Sequence, residues 1–352
     1  MTGAAPKQAL AYLDLALPEP GRTTEVAPGV HWLRMPLPFA LDHINLWLLE
    51  DGDDWVIVDS GLKSRRIRDC WQEIFKDRIN GARVGKVIVT HYHPDHIGLA
   101  GWLVERLSAP LWMSRADYLY CQLLLRRDGE HPPDQAVEFY RRAGFNADSL
   151  DVFRKLGYAS FLRAVAPLPV WFHGIRHGDR IEIGGRMWQA LILSGHSPEH
   201  VCLFCLDLNV LISGDQILPR ISSNISVYPP EPEADPLKDW LESLDALLDL
   251  PEDVLVLPSH NEPFRGLHLR VAELQKHHAD RLAAVEVACA DGPKTAIDLY
   301  TVLFGRKING FEHMFAAGES LAHLHYLIEK GKVSRTTNED GIDLYRTLEG
   351  RS

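Results

Sequence analysis

Thr90-His91-Tyr92-His93-Pro94-Asp95-His96 sets four metal-capable side chains into six consecutive positions, directly after the apolar run Lys86-Val87-Ile88-Val89. That run reads as a buried strand, and residues 97–107 resume a helical spacing of apolar side chains, so the motif lies where a strand gives way to a helix. In an extended stretch His91 and His93 project from one face, and both imidazoles reach one ion. The turn at Pro94 redirects Asp95 and His96 towards a second.

Outward from the motif, three more metal-capable residues sit at the ends of apolar runs: His196 in Ser194-Gly195-His196-Ser197, Asp215 in Ser213-Gly214-Asp215-Gln216, and His260 in Pro258-Ser259-His260-Asn261. Loops that follow strands gather at one edge of a layered protein and can build a common site. Short β-type runs at 30–33, 44–49 and 55–59 precede a helix at 64–75. A strand at 111–113 leads into a long helical insertion, 115–167, which ends in a Pro-rich bend. Further strands are expected at 180–183, 185–193, 201–206, 210–213 and 254–257, with a turn at Gly184-Gly185 and a helix at 235–250. Strand groups separated by helices, in two halves of similar layout, predict a layered α/β domain. Beyond His268 the texture changes to helices at 270–289, 295–304 and 319–330, then two strands within 332–347 around Asn338-Glu339-Asp340-Gly341.

The bulk properties narrow the partners. A net charge of -11 with a pI near 5.8 opposes broad attachment to nucleic acid or anionic lipid, and favours a small-molecule substrate. Nowhere does the chain offer about 18 consecutive apolar residues, so no membrane association is expected. The start lacks a basic stretch followed by an apolar one, and five cysteines without a regular framework fit a reducing compartment; the cytoplasm is the expected location. Cys202 and Cys205 match Cys-X-X-Cys, but inside an apolar strand residues three apart point to opposite faces, which reads as two core cysteines.

The ordered set Asp59, His91-X-His93-X-Asp95-His96, His196, Asp215, His260 resembles the metallo-β-lactamase superfamily, especially its glyoxalase II-like hydrolases, over residues 25–266. The resemblance implies a four-layer αββα sandwich after an N-terminal extension, 1–24. It also implies two divalent ions, with zinc expected and iron or manganese open. By that likeness one ion takes His91, His93 and His196, the other takes Asp95, His96 and His260, and Asp215 bridges. Asp59 matches an acid that orients a metal-bound imidazole rather than a ligand. Asp95 and Asp215 are then the carboxylates closest to the chemistry. His200 begins a buried strand and is assigned a structural role, and the eleven other histidines of the 17 have no matching context. The segment 267–352 resembles the winged-helix-like appendage of some of these hydrolases, including the β-lactamase-like endoribonuclease group, through the spacing of Leu321, Leu324, Leu327 and Gly331. It is expected to shape the substrate entrance or an oligomer contact such as a homodimer.

Hydrolysis by a hydroxide bridging two ions is the chemistry this set implies. Diiron oxidases of the superfamily carry Glu where His93 stands, which favours the hydrolase. Lactonases resembling this fold carry Tyr three residues after the bridging Asp, where this chain has Leu218. A thiolate leaves without a strong general acid, so an acyl thioester of the glutathione or CoA type is the expected substrate, with Arg115 and Arg220 as candidates to hold an anionic carrier. A nuclease supported by Lys63-Ser64-Arg65-Arg66 and Arg126-Arg127, or a lactonase, are the alternatives.

Overall fold

The computed structural model describes residues 9–125, 131–156, 159–308, 310 and 312–348. A two-residue strand, β1 (Ala11–Tyr12), comes first in the chain but joins the second of two seven-stranded sheets. The first sheet follows sequence order: β2 (Thr23–Ala27), β3 (Val30–Pro36), β4 (His43–Asp51), β5 (Asp54–Val58), β6 (Val84–Ile88), β7 (Leu111–Ser114) and β8 (His173–Ile175). Strands β2 to β5 form an antiparallel meander, whereas β5 to β8 run parallel. Parallel neighbours need a crossover. Helix α1 (Arg65–Ile74), capped by the Ser64 hydroxyl, supplies the first, and α2 (Pro94–Ile97) with α3 (Ala100–Leu107) the second. The third crossover is the long insertion, containing α4 (Arg115–Leu125), α5 (Asp134–Arg142), α6 (Ala147–Leu156) and α7 (Ala159–Ala164). Arg126-Arg127 lies outside the described residues.

The second sheet repeats the plan. β9 (Arg180–Ile183), β10 (Arg186–Leu193), β11 (His200–Cys205) and β12 (Val210–Gly214) are antiparallel, and α8 (Pro236–Ala246) crosses to β13 (Leu255–Pro258), parallel to β12. β14 (Phe264–Arg265) then pairs with β13 and with β1 at the edge. The turn between β9 and β10 is Gly184-Gly185, both at positive φ as a tight two-residue hairpin requires.

Strand β4 shows why the sheets stack. It is apolar on both faces: Leu46 and Leu48 pack with Ile67 and Trp71 of α1 and Leu103 of α3, while Trp47 and Leu49 meet Leu203 and Ile212 of the other sheet. On β11 the same alternation sends Cys202 outward to α8 and Cys205 into the inter-sheet core, and all five cysteines are free and buried. The layers are therefore helix, sheet, sheet, helix.

The chain ends in α9 (Leu267–Ala290), α10 (Tyr300–Phe304), α11 (Glu312–Glu329) and a hairpin, β15 (Val333–Thr337) and β16 (Asp343–Thr347). Leu321, Leu324 and Leu327 are buried against Trp240 and Val256, so this segment covers the outer face of the second sheet. Gly331 closes α11 at positive φ, its N–H donating to Ile328 O and that of Lys332 to Leu327 O. Two boundaries differ from the sequence reading. Helix α11 starts at Glu312 rather than 319 and runs through Gly318, a residue of low helix propensity. The segment expected as one helix at 295–304 is a short 3₁₀ turn, Ile297–Leu299, followed by the five residues of α10. Among the described residues no helix is long and apolar enough to cross a membrane.

Candidate metal centre

Four loops leaving β6, β10, β12 and β13 at one end of the two sheets carry the seven candidate ligands. Beyond β6, Val89 N–H donates to Trp112 O and Val201 N–H to Thr90 O, both at 2.8 Å, so the approach to His91 is tied to both sheets. His93 keeps extended dihedrals (φ −61°, ψ 144°) and Pro94 opens α2, where its fixed φ suits a first helical position. That change of direction carries Asp95 and His96 away from His91 and His93, as the motif implied. At the last residue of β12, Gly214 sits at φ +53°. A Cβ there would lie 2.5 Å from the His200 ring, so glycine lets that imidazole accept the backbone N–H of Asp215 at 3.1 Å. His200 thus supports the centre structurally, as the sequence suggested.

The side chains form two groups. His91 Nε2 lies 3.0 Å from His93 Nδ1 and 3.2 Å from His196 Nε2, with Asp215 Oδ2 3.5 Å from the latter. In the second, Asp95 Oδ2 is 3.6 Å from His260 Nε2 and 4.0 Å from His96 Nε2. Asp215 also reaches this second group, at 3.5 Å from His96 Nε2 and 3.6 Å from His260 Nε2. Within each group one ligand atom per residue falls within 4.8 Å of all the others.

Hydrogen bonds behind the imidazoles set which nitrogen faces inward. His196 Nδ1 donates to Asn224 O, His260 Nδ1 to His43 O and His96 Nδ1 to Asp59 Oδ2, each at 2.8 Å. In the neutral, ligating form of each imidazole that donation leaves Nε2 with a lone pair aimed into the cluster. Facing lone pairs about 3 Å apart repel unless a cation lies between them, and His96 Nε2 and Asp215 Oδ1 are buried with no hydrogen-bond partner. Charge points the same way. Burial holds His91 and His93 well below the ordinary histidine range, neutral as ligands must be. For His96, burial opposes the charge, yet Asp215, Asp59 and Asp95 outweigh it and raise the imidazole well above that range; Asp215 and Asp95 likewise raise His260. The carboxylates gather positive charge, and the donor set fits divalent cations.

Three residues outside the sequence reading help build the centre. Thr90 Oγ1 lies within 3.2 Å of Asp59, His91 Nδ1 and His96 Nδ1. Buried Asp117 accepts from the backbone N–H groups of Tyr92 (2.9 Å) and Glu199 (2.8 Å) and from Ser197 Oγ, tying the first motif to the His196 loop. Burial raises its carboxyl to about 6. Asn224 acts through its backbone carbonyl, which no side-chain pattern encodes. Two carrier candidates separate: Arg220 is paired with Glu262 and lies over the Tyr12 ring, whereas Arg115 is exposed at the start of α4. In the basic cluster of α1, Lys63 Nζ donates to Val165 O and Ser64 caps the helix.

Residues 40–260 match the profile of the Metallo-beta-lactamase superfamily, and residues 282–348 that of a Metallo-beta-lactamase-like C-terminal domain. A crystal structure of a beta-lactamase domain protein from Burkholderia ambifaria is 42% identical, with a TM-score of 0.87 over 96% of this chain and 97% of its own. The metallo-beta-lactamase family protein TTHA1429 from Thermus thermophilus is 29% identical, with a TM-score of 0.78 over 92% and 100%. Among curated proteins, the probable metallo-hydrolase YqjP of Bacillus subtilis is 23% identical over 84% of this chain and 91% of its own. The Bos taurus acyl-coenzyme A thioesterase MBLAC2 is 24% identical over 67% and 79%.

Proposed function

The chain belongs to the metallo-β-lactamase superfamily and is a metallo-hydrolase, and from that premise we propose that it cleaves acyl thioesters. A two-ion site there would be held by His91, His93 and His196 on one side and Asp95, His96 and His260 on the other, with Asp215 within reach of both. The observation that carries the two-ion reading is the Asp215 carboxylate, whose two oxygens stand 3.5–3.6 Å from imidazoles of both groups. When bound, divalent ions supply a water acidified towards neutral pH and polarise the carbonyl it attacks. Zinc suits this set of imidazoles and carboxylates, as do iron and manganese.

The thioester choice rests on the demands of the leaving group. A thiol has a reference pKa of about 8.5 and departs as thiolate without a proton donor. Buried Leu218 stands where the lactonases place a phenol. Two candidate phenols are poor acids: burial pushes Tyr92, packed on His93, well above the usual range, and Tyr228 to about 12. The resemblance to MBLAC2, named for acyl-coenzyme A, supports the same class, and exposed Arg115 is the freer cation to meet an anionic carrier. Free, buried cysteines support a cytoplasmic setting for such a substrate.

The test is a comparison at equal metal loading of an acyl-CoA, an acyl-glutathione, a homoserine lactone and single-stranded RNA. The expected order puts a thioester first in kcat/KM. RNA cleaved fastest, with affinity falling steeply as salt rises, would replace this reading with a nuclease; lactones leading would make Tyr228 and Tyr92 the residues to change to Phe.

A further inference from the structure

The acceptors that orient the inward-facing imidazoles differ in what holds them. Asp59 and His43 belong to the first sheet and its loops. The acceptor of His196 is the carbonyl of Asn224, in a stretch, 222–228, that forms no helix or strand. Its position is set from the C-terminal segment. Val227 N–H donates to Gly318 O at 3.1 Å, Ser226 Oγ lies 3.1 Å from Phe315 O, and Asn224 Nδ2 donates to Glu319 Oε2 at 3.1 Å. Helix α11 comes so close that a Cβ on Gly318 would stand 2.7 Å from both Ser226 Cβ and Val227 O. Glycine at that point is a condition of the contact.

Glu319 is a buried carboxylate, 8% exposed, whose other oxygen accepts from Arg281 of α9 at 2.9 Å. Burial pushes its carboxyl up to about 7 against the pull of Arg281 and Asn224. A buried ion pair is commonly no better for stability than well-packed apolar side chains, so stability is a weak reason for placing one here. Its geometry offers another. The carboxylate bridges α9 and α11 and grips the amide of the residue whose carbonyl takes the Nδ1 proton of His196.

We propose that Glu319, held by Arg281, is a positioning residue for the metal centre: acting through Asn224, it fixes the tautomer and aim of His196. This rests on the two-ion reading above. The C-terminal segment then contributes to the site through hydrogen bonds behind it, and loss of its grip lowers affinity at the ion that His196 serves more than at the other.

Two isosteric pairs isolate the hydrogen bond from the charge. Glu319→Gln with Arg281→Met keeps an acceptor for Asn224 and leaves no buried charge; Glu319→Leu with Arg281→Met removes the acceptor. Zinc affinity of the two sites is measured by competition with a chromogenic chelator, alongside kcat and KM on whichever substrate the parent turns over. The Leu pair should lose roughly 10–100-fold in affinity at one site, with the second much less changed, kcat falling and KM steady, and the Gln pair should recover most of it. Asn224→Leu, which leaves α9 and α11 intact, should reproduce the loss and serves if the Leu pair does not fold. Equal affinities in the Leu and Gln pairs, or in Asn224→Leu and the parent, would overturn the positioning role while leaving the two-ion site standing. A parent that binds no zinc would overturn both.

Discussion

Asp59 follows β5 with a φ of 63°, a left-handed backbone that few residues other than glycine adopt, and its side chain explains what the conformation achieves. Oδ1 accepts the Thr90 N–H at 2.8 Å, and Oδ2 accepts from Thr90 Oγ1 and from His96 Nδ1, each at 2.8 Å. A carboxylate only accepts, so His96 must present Nδ1–H to it, and Nε2 is the nitrogen left to face the cluster and hold an ion. In Asp59→Asn the amide keeps one acceptor for Thr90 but turns an NH₂ towards His96, favouring the tautomer whose proton points into the metal position. Zinc affinity should fall roughly 10–100-fold with the fold intact; a chelator competition giving the parent value would show that His96 is not governed by Asp59. At this scale the sequence was readable wherever function lies in side-chain type. His and Asp at strand exits stand out in the sequence, and the structure brings the seven candidate ligands together, with Asp59 accepting from His96 Nδ1. Asn224 was invisible because its carbonyl, common to every residue, does the orienting. Buried Asp117 was invisible because nothing local distinguishes it from a helix-start acid.

Helices α9 and α11 meet through a relay of neutral groups. Ser222 Oγ lies 3.1 Å from His278 Nε2, His278 Nδ1 lies 3.3 Å from His323 Nε2, and His323 Nδ1 donates to Glu319 O at 2.8 Å. One proton per gap satisfies the chain; a further proton on His323 would set two N–H groups against each other, and one on His278 would turn the Ser222 hydroxyl from donor to acceptor. Burial, with the neighbouring imidazoles and Arg281 adding to it, pulls His278 down to about 2; burial brings His323 to about 4. The unfolded chain, with histidines near 6.5, therefore binds more protons below that pH. The stability these residues contribute is fully present above pH 6.5 and is lost as pH falls, by up to about 1.4 kcal/mol per group per pH unit. The urea midpoint should drop between pH 7 and pH 5, and His278→Gln, which can still accept and donate, should drop less steeply. Parallel slopes would take the pair out of acid sensitivity. Elements themselves were legible where a period or an apolar run extends over many residues, as in α1 and β10 for the first and β4 for the second. They were misread where tertiary contact overrides propensity. Helix α11 continues through Gly318, where Ser226 packs against it, and two- or three-residue strands such as β1 and β8 exist only because a partner edge awaits them.

In the whole molecule, the candidate ligands come from both sheets in each group. His91 and His93 leave the first sheet while His196 and Asp215 leave the second; Asp95 and His96 follow the first sheet while His260 follows the second. Neither sheet can complete a site alone, and this could not be read along the chain, because it depends on which distant strands lie face to face. Each bound ion would act as a cross-link between the layers at one end, where apolar packing gives way to facing imidazoles. Between the sheets Trp32, Trp47 and Trp188 already pack in a shared apolar core. Ligand binding to the native state alone adds RT ln(1 + [L]/Kd), about 2.7 kcal/mol at a hundredfold excess over Kd for each site. Removing metal with a chelator should therefore lower the urea midpoint without abolishing the fold, and readdition should restore it. Amide exchange should accelerate at the exits of β6, β10, β12 and β13 together, in both sheets, and stay slow in the strands around the tryptophans. Acceleration confined to one sheet would mean that the ions are held by one layer and that the shared role of Asp215 is wrong.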